Sequence, residues 1–240
     1  MIAARALDGI PEIRAGDDIG RLLRGRVADG DVLVVAHKAV SKAEGRVVRL
    51  DDVVASREAI ELARAHAKED PRHVQVVLDE SAEIVRAQRG VLICRTHHGF
   101  VCANAGVDAS NTEPGTLVLL PIDPDASARR LRAALGVRAA VVVADSFGRA
   151  WRHGQVDVAI GVAGLAPLDD WRGRQDPRGR ELRATWIAIA DEAAAAADLA
   201  RTKDSHEPAV VVTGLAHHVT DDDGPGIAAL LRPPDEDLFR

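Results

Sequence analysis

The 240-residue sequence predicts an α+β fold in which short helices and short strands are mixed along the chain. Continuous apolar runs such as residues 31–36 (DVLVVA) and 139–144 (AAVVVA) are typical of buried strands. Segments with apolar residues at helical spacing, preceded by capping residues, lie between such runs. We expect a single domain over residues 1–240, with a division into two subdomains as the alternative.

Helices are predicted where helix-forming residues follow a side chain that can cap the first turn. They cover residues 19–27 (IGRLLRGRV), 56–68, the segment opened by Asp70 and Pro71, 125–135 and 181–200. Gly136 is expected to end the fourth helix as its C′ residue. The fifth is rich in Ala and contains neither Gly nor Pro, so it is expected to be the longest.

Strands are predicted from short apolar or alternating runs that turn residues bound. They cover residues 31–36, 46–50, 117–120, 139–144, 156–162 and 209–213, and residues 83–104 are expected to form a hairpin around the turn at 97–99. The order of these strands in a sheet does not follow from the sequence.

Composition excludes several classes of function. The net charge is −6, so the chain has no basic field for nucleic acid, and aromatic residues make up only 2%. No apolar run approaches the roughly 20 residues that cross a bilayer, and the first residues lack the apolar stretch of a signal peptide. Two cysteines form no disulfide framework. We expect a cytoplasmic protein that binds neither nucleic acid nor membrane.

Lysine is rare in this chain and marks a first candidate segment. The only lysines are Lys38, Lys42, Lys68 and Lys203. Residues 37–45 (HKAVSKAEG) follow a predicted buried strand and are expected to form a loop there. Two ammonium groups and the Ser41 hydroxyl are enough to hold a phosphate, although the segment is not a P-loop. A solvated basic turn is the alternative interpretation.

Two further segments carry oxygen ligands. Residues 103–111 (ANAGVDASN) include Asp108 and Asn111, and residues 145–152 (DSFGRAWR) place Asp145 and Ser146 at the tip of a predicted strand. Oxygen ligands suit Mg²⁺, and Asp108 and Asp145 form a natural pair for bridging divalent ions. The alternatives are a surface loop in which Asp and Asn serve only turns, and an Asp that caps the following segment.

Other clusters are weaker candidates. Cys94, His97, His98 and Cys102 could be drawn as a zinc site, but adjacent histidines at a hairpin tip rarely reach one metal, so a structural hairpin is favoured. The acidic pair at 191–192 and the acidic run at 221–223 are interpreted as solvated surface, with metal or substrate contact as an alternative for the run.

Taken in order, the segments resemble the coenzyme F420-0:γ-glutamyl ligase family. The matching pieces are GDDI, DGDVLVVAHKAVSKAEG, DPRHVQVVLDESAEIVR, GFVCANAGVDASN, LLPIDPDASARRLR, VVVADSFGRAWRHGQVDVAIGVAG, ELRATWIAIADEAAAAADL and RPPDEDLF. They span residues 9 to 239, and the resemblance is closest to the actinobacterial ligase domain. It implies a chain without the nitroreductase-like domain that follows in some members.

The resemblance implies a GTP-dependent amide ligase with an unusual mixed α/β fold, acting as an intertwined homodimer. Its substrates would be F420-0, L-glutamate and GTP, with Mg²⁺ or Mn²⁺ and with K⁺ as a further candidate. Matching positions assign the divalent metal to Asp108, Asp145 and Ser146. They assign the GTP contacts to Ile10, Pro11, Glu12, Ile13, His37, Lys42 and Asn111.

The sequence departs from the family pattern at two places. Family members often have Ser or Thr where this chain has His37, and an imidazole N–H could replace that hydroxyl. In the loop at 201–207, members commonly show Gly where Thr202 stands.

The implied reaction also agrees with the candidate residues. A carboxylate is a poor electrophile, so a phosphoryl group must be attached first, and the gathered negative charge calls for cations. We therefore expect Lys42, Asp108 and Asp145 to be catalytic, with Arg149 and Arg152 as further clamps for phosphate or carboxylate. The alternatives are a metal-dependent phosphatase or nucleotide hydrolase using the same Asp pair, and a non-catalytic nucleotide-binding subunit.

Overall fold

The computed structural model describes residues 1–68, 70–202 and 204–237, and it contains both helices and strands in one chain. The helices are α1 (Ile19–Leu23), α2 (His37–Ala43), α3 (Arg57–Ala65), α4 (Pro71–Asp79), α5 (Pro124–Leu135) and α6 (Ile189–Ala200). The strands are β1 (Ala3–Ala6), β2 (Val32–Ala36), β3 (Val47–Arg49), β4 (Ser81–Gln88), β5 (Val91–Thr96), β6 (Val101–Ala103), β7 (Thr116–Val118), β8 (Ala140–Arg149), β9 (Arg152–Ala163), β10 (Asp169–Asp170), β11 (Trp186–Ile187) and β12 (Ala209–Thr213). The predicted α+β class is confirmed.

A five-stranded sheet in the order β1-β12-β2-β8-β9 forms the centre of the larger hydrophobic core. Strands β2 and β8 run parallel, and the other neighbours run antiparallel. Helices α5 and α6 pack against this sheet, and α1 packs against α5. With aromatic side chains so scarce, the core consists mainly of Val, Leu, Ile and Ala, whose branched members suit buried strands.

A second hydrophobic cluster forms beside the first. It joins α3 and α4 to the antiparallel β4-β5-β6 sheet and the β3-β7 pair. Leu119 packs in this second cluster and Leu120 in the first, because neighbouring residues of an extended segment point to opposite sides. Gly106 lies against Leu120 at φ 74°, where a Cβ would be 2.7 Å from the Leu120 Cγ atom. This close approach brings residues 104–108 to the junction of the two clusters.

The helix starts follow the predicted capping residues. The Asp18, Ser56 and Asp70 side chains accept hydrogen bonds from the first-turn N–H groups of α1, α3 and α4. Gly136 ends α5 in the left-handed region at φ 71°. The predicted strands in the ranges 31–36, 46–50, 117–120, 139–144, 156–162 and 209–213 are also present, with shifted ends.

The prediction of one helix over residues 181–200 is wrong for its first eight residues. The strand Trp186–Ile187 pairs with Asp169–Asp170, and the Arg172 guanidinium lies 4.2 Å from the centre of the Trp186 ring. Aromatic and β-branched residues favour this extended pairing over helix. Helix α6 therefore begins at Ile189 and is no longer than α5, since each has 12 residues.

Two other element predictions need correction. Residues 83–104 contain a second turn at Arg89 and Gly90, both with positive φ, so the segment belongs to three strands rather than one hairpin. The strand at 139–144 continues to Arg149, because β9 pairs with it as far as Arg152. Asp145 therefore lies within a long hairpin and not at a strand tip.

A helix that spans a membrane must be both long and apolar. Within residues 1–68, 70–202 and 204–237, no helix is both long enough and apolar enough to span a bilayer.

We predict that Gly161→Ala lowers the free energy of unfolding by roughly 3 kcal/mol, the upper range for overpacking. A Cβ at Gly161 would overlap with the carbonyl of Pro124 and lie 2.7 Å from the Pro124 Cβ, so α5 would have to move away from β9. Urea denaturation followed by circular dichroism measures the change.

Gly148→Ala is the matched control. It lies on the same β8-β9 hairpin, and a Cβ added there would have nothing within 4 Å. This variant should differ from the parent by less than about 1 kcal/mol. Equal stability of the two variants would contradict the proposed packing constraint.

Candidate functional site

The parallel pairing of β2 with β8 positions the candidate site. Ala36 at the end of β2 is the register partner of Ala144, so the next residues, His37 and Asp145, lie side by side. Their atoms Nε2 and Oδ1 are 3.1 Å apart. The expected loop at 37–45 is instead helix α2 over His37–Ala43, which begins directly where β2 ends. Ala and Lys are good helix formers, and the turn follows only at Gly45, with φ 71°.

A cavity of about 230 Å³ lies beside this junction. One wall comes from the chain after β5, and the other comes from the β8-β9 hairpin. The lining residues are Cys102, Ala103, Asn104, Gly106, Asp108, Asp145, Ser146, Phe147, Gly148 and Gln155. The structure thus brings together all three predicted metal-binding residues, Asp108, Asp145 and Ser146, and their role in binding stays a prediction.

Asp108 is held by a dense set of hydrogen bonds. Its Oδ2 lies 2.7 Å from the Lys38 ammonium and accepts the Ser110 hydroxyl at 3.0 Å, while Oδ1 accepts the Ser110 N–H at 2.6 Å. Burial acts to raise the pKa of Asp108, but the hydrogen bonds from Lys38 and Ser110 outweigh it. The pKa therefore lies below its usual value, and the carboxylate is ionised at neutral pH.

The inner face of α2 carries two buried polar side chains. His37 is 2% exposed and Ser41 is fully buried. Neither ring nitrogen of His37 nor the Ser41 hydroxyl has a hydrogen-bond partner among the described residues, because the approach of His37 to Asp145 lacks hydrogen-bond geometry. Unsatisfied buried polar atoms are costly, so a helix that keeps three of them, on His37 and Ser41, has the character of a functional element.

Beneath the cavity, Ser146 belongs to a buried ionic network. Its hydroxyl donates to Oδ1 of Asp157 at 2.5 Å, and Arg201 donates to Oδ2 of the same carboxylate. Asp157 is 1% exposed and the Arg201 side chain 11% exposed. The network joins the β8-β9 hairpin to the end of α6, so it fixes the orientation of Ser146.

The residues matched to nucleotide contacts lie apart from the cavity lining. Lys42 in the last turn of α2 donates to Oε1 of Glu12 at 2.6 Å, and this hydrogen bond is the main reason that the pKa of Glu12 is lowered. Ile13 is buried in the larger core, and Ile10 packs against it. Asn111 is exposed and has φ 56°. His37 directly approaches a residue of the cavity, Asp145.

Sequence reasoning missed several residues around the cavity. Lys68 donates to Asn104 Oδ1 at 3.1 Å, and burial lowers the pKa of its ammonium. The rarity of lysine was a signal that could have found it. Asp157 had a signal as well, since it is the charged residue in the otherwise apolar run VDVAIGVA. Arg201 and Gln155 had no local signal, because the chain is rich in arginine and Gln155 lies in a polar stretch.

The donor set of the cavity fits a hard divalent cation. Carboxylate, hydroxyl and amide oxygens come from Asp108, Asp145, Ser146 and Asn104. Mg²⁺ is commonly held by one or two carboxylates together with water and substrate phosphates. No group of three or more His, Cys, Asp or Glu residues suited to a metal occurs in the part of the chain that the structure describes. The two carboxylates of the cavity, Asp108 and Asp145, agree with this number of carboxylate ligands.

The weaker candidates have structural roles. Cys94 and Cys102 are register partners across β5 and β6, and burial raises the pKa of Cys102 to about 12. The rings of His97 and His98 contact backbone carbonyls, in agreement with the favoured structural hairpin.

The acidic run at 221–223 is exposed, as interpreted from the sequence, and in the pair at 191–192 only Glu192 is exposed. In the run at 221–223, Asp221 pairs with Arg138 and Asp223 with Arg132. Asp191 is partly buried and accepts the Ala159 N–H at 2.9 Å, which corrects its interpretation as a solvated side chain. In the loop at 201–207, Lys203 lies outside the described residues, as do 238 and 239 of the last matching segment.

Comparisons with known proteins agree on one family. Residues 9–214 match the sequence profile described as F420-0:Gamma-glutamyl ligase. The Coenzyme F420:L-glutamate ligase of Methanothermobacter thermautotrophicus is 43% identical, over 100% of this chain and 99% of its own length. The proteins of the same name from Methanopyrus kandleri and Methanocaldococcus jannaschii are each 44% identical, covering 95% and 89% of this chain and 94% and 86% of their own lengths.

We predict that Arg201→Met lowers the free energy of unfolding by about 3 kcal/mol or more, because it leaves the Asp157 carboxylate buried without its cation. Urea denaturation measures the loss. The double variant Asp157→Asn, Arg201→Met should recover part of it.

Arg57→Met is the control for this prediction. It removes an exposed pair with Glu61 on α3 and should cost less than about 1 kcal/mol. A loss for Arg201→Met no larger than that of the control would show that the buried network contributes little.

Proposed function

The chain belongs to the F420-0:gamma-glutamyl ligase family, and we propose that it attaches L-glutamate to coenzyme F420-0 in a GTP-dependent reaction. It is a ligase enzyme. The observation that carries the proposal is the convergence of Asp108 and Asp145 on one cavity, with the Lys38 ammonium on the first carboxylate. Two carboxylates and a lysine suit a site that gathers phosphate groups and divalent cations.

The proposed reaction has two steps. An oxygen of the lactyl carboxylate of F420-0 attacks the γ-phosphorus of GTP, so that GDP leaves and an acyl phosphate forms. The amine nitrogen of L-glutamate then attacks the acyl carbon, the bond from that carbon to the phosphate oxygen breaks, and inorganic phosphate leaves. The nitrogen loses a proton as the amide forms. Repetition at the γ-carboxylate of the added glutamate would extend a γ-linked chain.

We propose that Asp108, Asp145 and Ser146 hold Mg²⁺ or Mn²⁺, with K⁺ as a further candidate cation. The divalent ion supplies charge neutralisation for the phosphate oxygens. The oxygen donors of the cavity and the ionised state of Asp108 support this assignment. The Asp157–Arg201 ion pair supports it further, because the hydrogen bond from Ser146 to Asp157 restrains the direction of the Ser146 oxygen.

For GTP, we propose contacts with Ile10, Pro11, Glu12, Ile13, His37, Lys42 and Asn111. In support, Lys42 and Glu12 are in direct contact, so two of these groups already lie together. A nucleotide phosphate would compete with the Glu12 carboxylate for the Lys42 ammonium. His37 differs from the others because it is buried against Asp145, so its contact with the nucleotide would lie next to the proposed cation site.

The amine nitrogen of glutamate is itself the attacking group. The site therefore has to position this amine and needs no nucleophilic side chain. Of the cavity-lining residues, Cys102 is the only thiol, and its raised pKa keeps it protonated. Holding the amine against the acyl phosphate can supply most of the rate. We propose Arg149 on the β8-β9 hairpin as a contact for a substrate carboxylate. In the structure its guanidinium donates a hydrogen bond to the His153 carbonyl at 2.7 Å.

We also propose that the enzyme acts as a homodimer. Val91 and Val101 are exposed on the sheet formed by β4, β5 and β6, and Trp151 is 82% exposed between β8 and β9. A second copy of the chain would cover such apolar side chains and gain hydrophobic stabilisation.

Asp108→Asn and Asp145→Asn are each expected to reduce glutamate ligation by about 100-fold or more, since each removes a carboxylate that would hold the divalent cation at the phosphoryl-transfer site. Product masses measured after incubation with GTP, Mn²⁺, L-glutamate and F420-0 give the rate. Circular dichroism should show a retained fold. Asp52→Asn changes an exposed acid outside the cavity and should ligate normally. Normal activity of both cavity variants would refute the assignment of these carboxylates.

GTP consumption distinguishes a ligase from a hydrolase that uses the same Asp pair. We expect release of phosphate from GTP to require both L-glutamate and F420-0, and to match amide formation one for one. Phosphate is measured beside product mass, with either acceptor left out in turn. Full-rate release of phosphate without the acceptors would establish the hydrolase instead.

A further inference from the structure

The Lys38 ammonium lies against Oδ2 of Asp108, where it takes the place of a cation on this oxygen. Its nitrogen lies 2.7 Å from Asp108 Oδ2, 2.5 Å from Ser110 Oγ and 3.3 Å from the Ser110 carbonyl oxygen. An ammonium has three N–H donors, so these three acceptors satisfy all of them. A divalent cation can reach Asp108 Oδ2 only if Lys38 gives up this position.

Asp145 differs from Asp108 in this respect. Its Oδ1 accepts the Ser146 N–H at 2.8 Å, and its nearest basic side chain is the buried ring of His37. No lysine or arginine of the described residues forms an ion pair with Asp145 within 4.0 Å. The two carboxylates of the cavity therefore offer unequal access to a cation.

The choice of lysine at position 38 fits a residue that must move. The chain has 31 basic residues, of which four are lysines, so arginine is its default cation. Arginine would form a rigid, forked contact with a carboxylate, whereas lysine presents a compact charge on a flexible stem. Lys38 is also only partly buried, with 22% of its side chain exposed, so its stem has room to turn.

We propose that Lys38 is a positioning residue that exchanges with the divalent cation on Asp108. Its ammonium then moves to the phosphate groups entering the cavity. This inference rests on the proposed function, because it concerns the same cation and nucleotide. Lys38 keeps Asp108 paired until the cation arrives. The exchange then adds a positive charge next to the phosphates without leaving the carboxylate unpaired at any stage.

The exchange is tested by titrating Mn²⁺ into the purified enzyme without nucleotide, with free Mn²⁺ followed by electron paramagnetic resonance. Lys38→Met should bind Mn²⁺ at least about tenfold more tightly, because one like charge within 4 Å near a protein surface is worth more than a factor of ten. GTP binding by the same variant, measured by calorimetry with Mn²⁺ present, should weaken. A variant that merely failed to fold would lose both affinities.

Arg57→Met is the control, since it removes one positive charge from the exposed face of α3, outside the cavity lining. Its Mn²⁺ affinity should change less than threefold, which corresponds to a difference in binding free energy of roughly 0.6 kcal/mol. In the background Asp108→Asn, Lys38→Met should no longer tighten Mn²⁺ binding. Equal or weaker Mn²⁺ binding by Lys38→Met alone would overturn the exchange.

Chemical labelling gives a second readout that a fixed structural ion pair would not change. Each lysine is labelled with an amine-reactive reagent and quantified by mass spectrometry, with and without Mg²⁺. Release from Asp108 should make Lys38 react faster when Mg²⁺ is added, whereas Lys42, which pairs with Glu12 outside the cavity lining, should not change. Unchanged Lys38 labelling, together with Mn²⁺ binding that depends on Asp145, would overturn the exchange alone. Failure of the parent enzyme to bind Mn²⁺ through Asp145 would overturn the proposed cation site and the exchange together.

Discussion

The parallel pairing of β2 with β8 is the constraint on which the site depends. The pairing of the two strands ends at Ala36 and Ala144, so the residues that follow lie side by side at one edge of the sheet. Helix α2 follows one strand and the long β8-β9 hairpin extends from the other. Loops and helix starts at the carboxyl ends of parallel strands are where α/β proteins commonly bind ligands, and this cavity lies at that edge.

The charged side chains at this edge form separate ion pairs rather than a patch of one sign. Asp108 is paired with Lys38, Glu12 with Lys42, and Asp157 with Arg201. The buried pair uses arginine, whose fork suits a permanent contact, while the two pairs beside α2 use lysine. A net charge of −6 would otherwise oppose the approach of a nucleotide. Local ammonium groups compensate for this charge where phosphate is expected to bind.

Local structure could be predicted because its causes lie within a few residues. The side chains of Asp18, Ser56 and Asp70 cap the helices that follow them, and Gly136 ends α5 as expected. Local sequence predicts the wrong element where pairing with a distant strand decides the structure. Trp186 is an example, since its pairing with Asp170 shortens the predicted last helix. The two hydrophobic clusters meet at residues 104–108 and 119–120. That the chain forms a single domain stays a prediction.

By itself, the sequence determined the α+β class, most helix and strand positions, and the segments that carry Asp108, Asp145 and the lysines. These follow from periodicity, capping and residue chemistry, which are properties of neighbouring residues. Only the tertiary structure decided which strands pair and which charged groups meet. Lys38 and Ser110 are 72 residues apart in the chain, and Arg201 and Asp157 are 44 apart. Such contacts depend on the order of strands in the sheet, because only their pairing brings distant carboxylates and cations within hydrogen-bond distance.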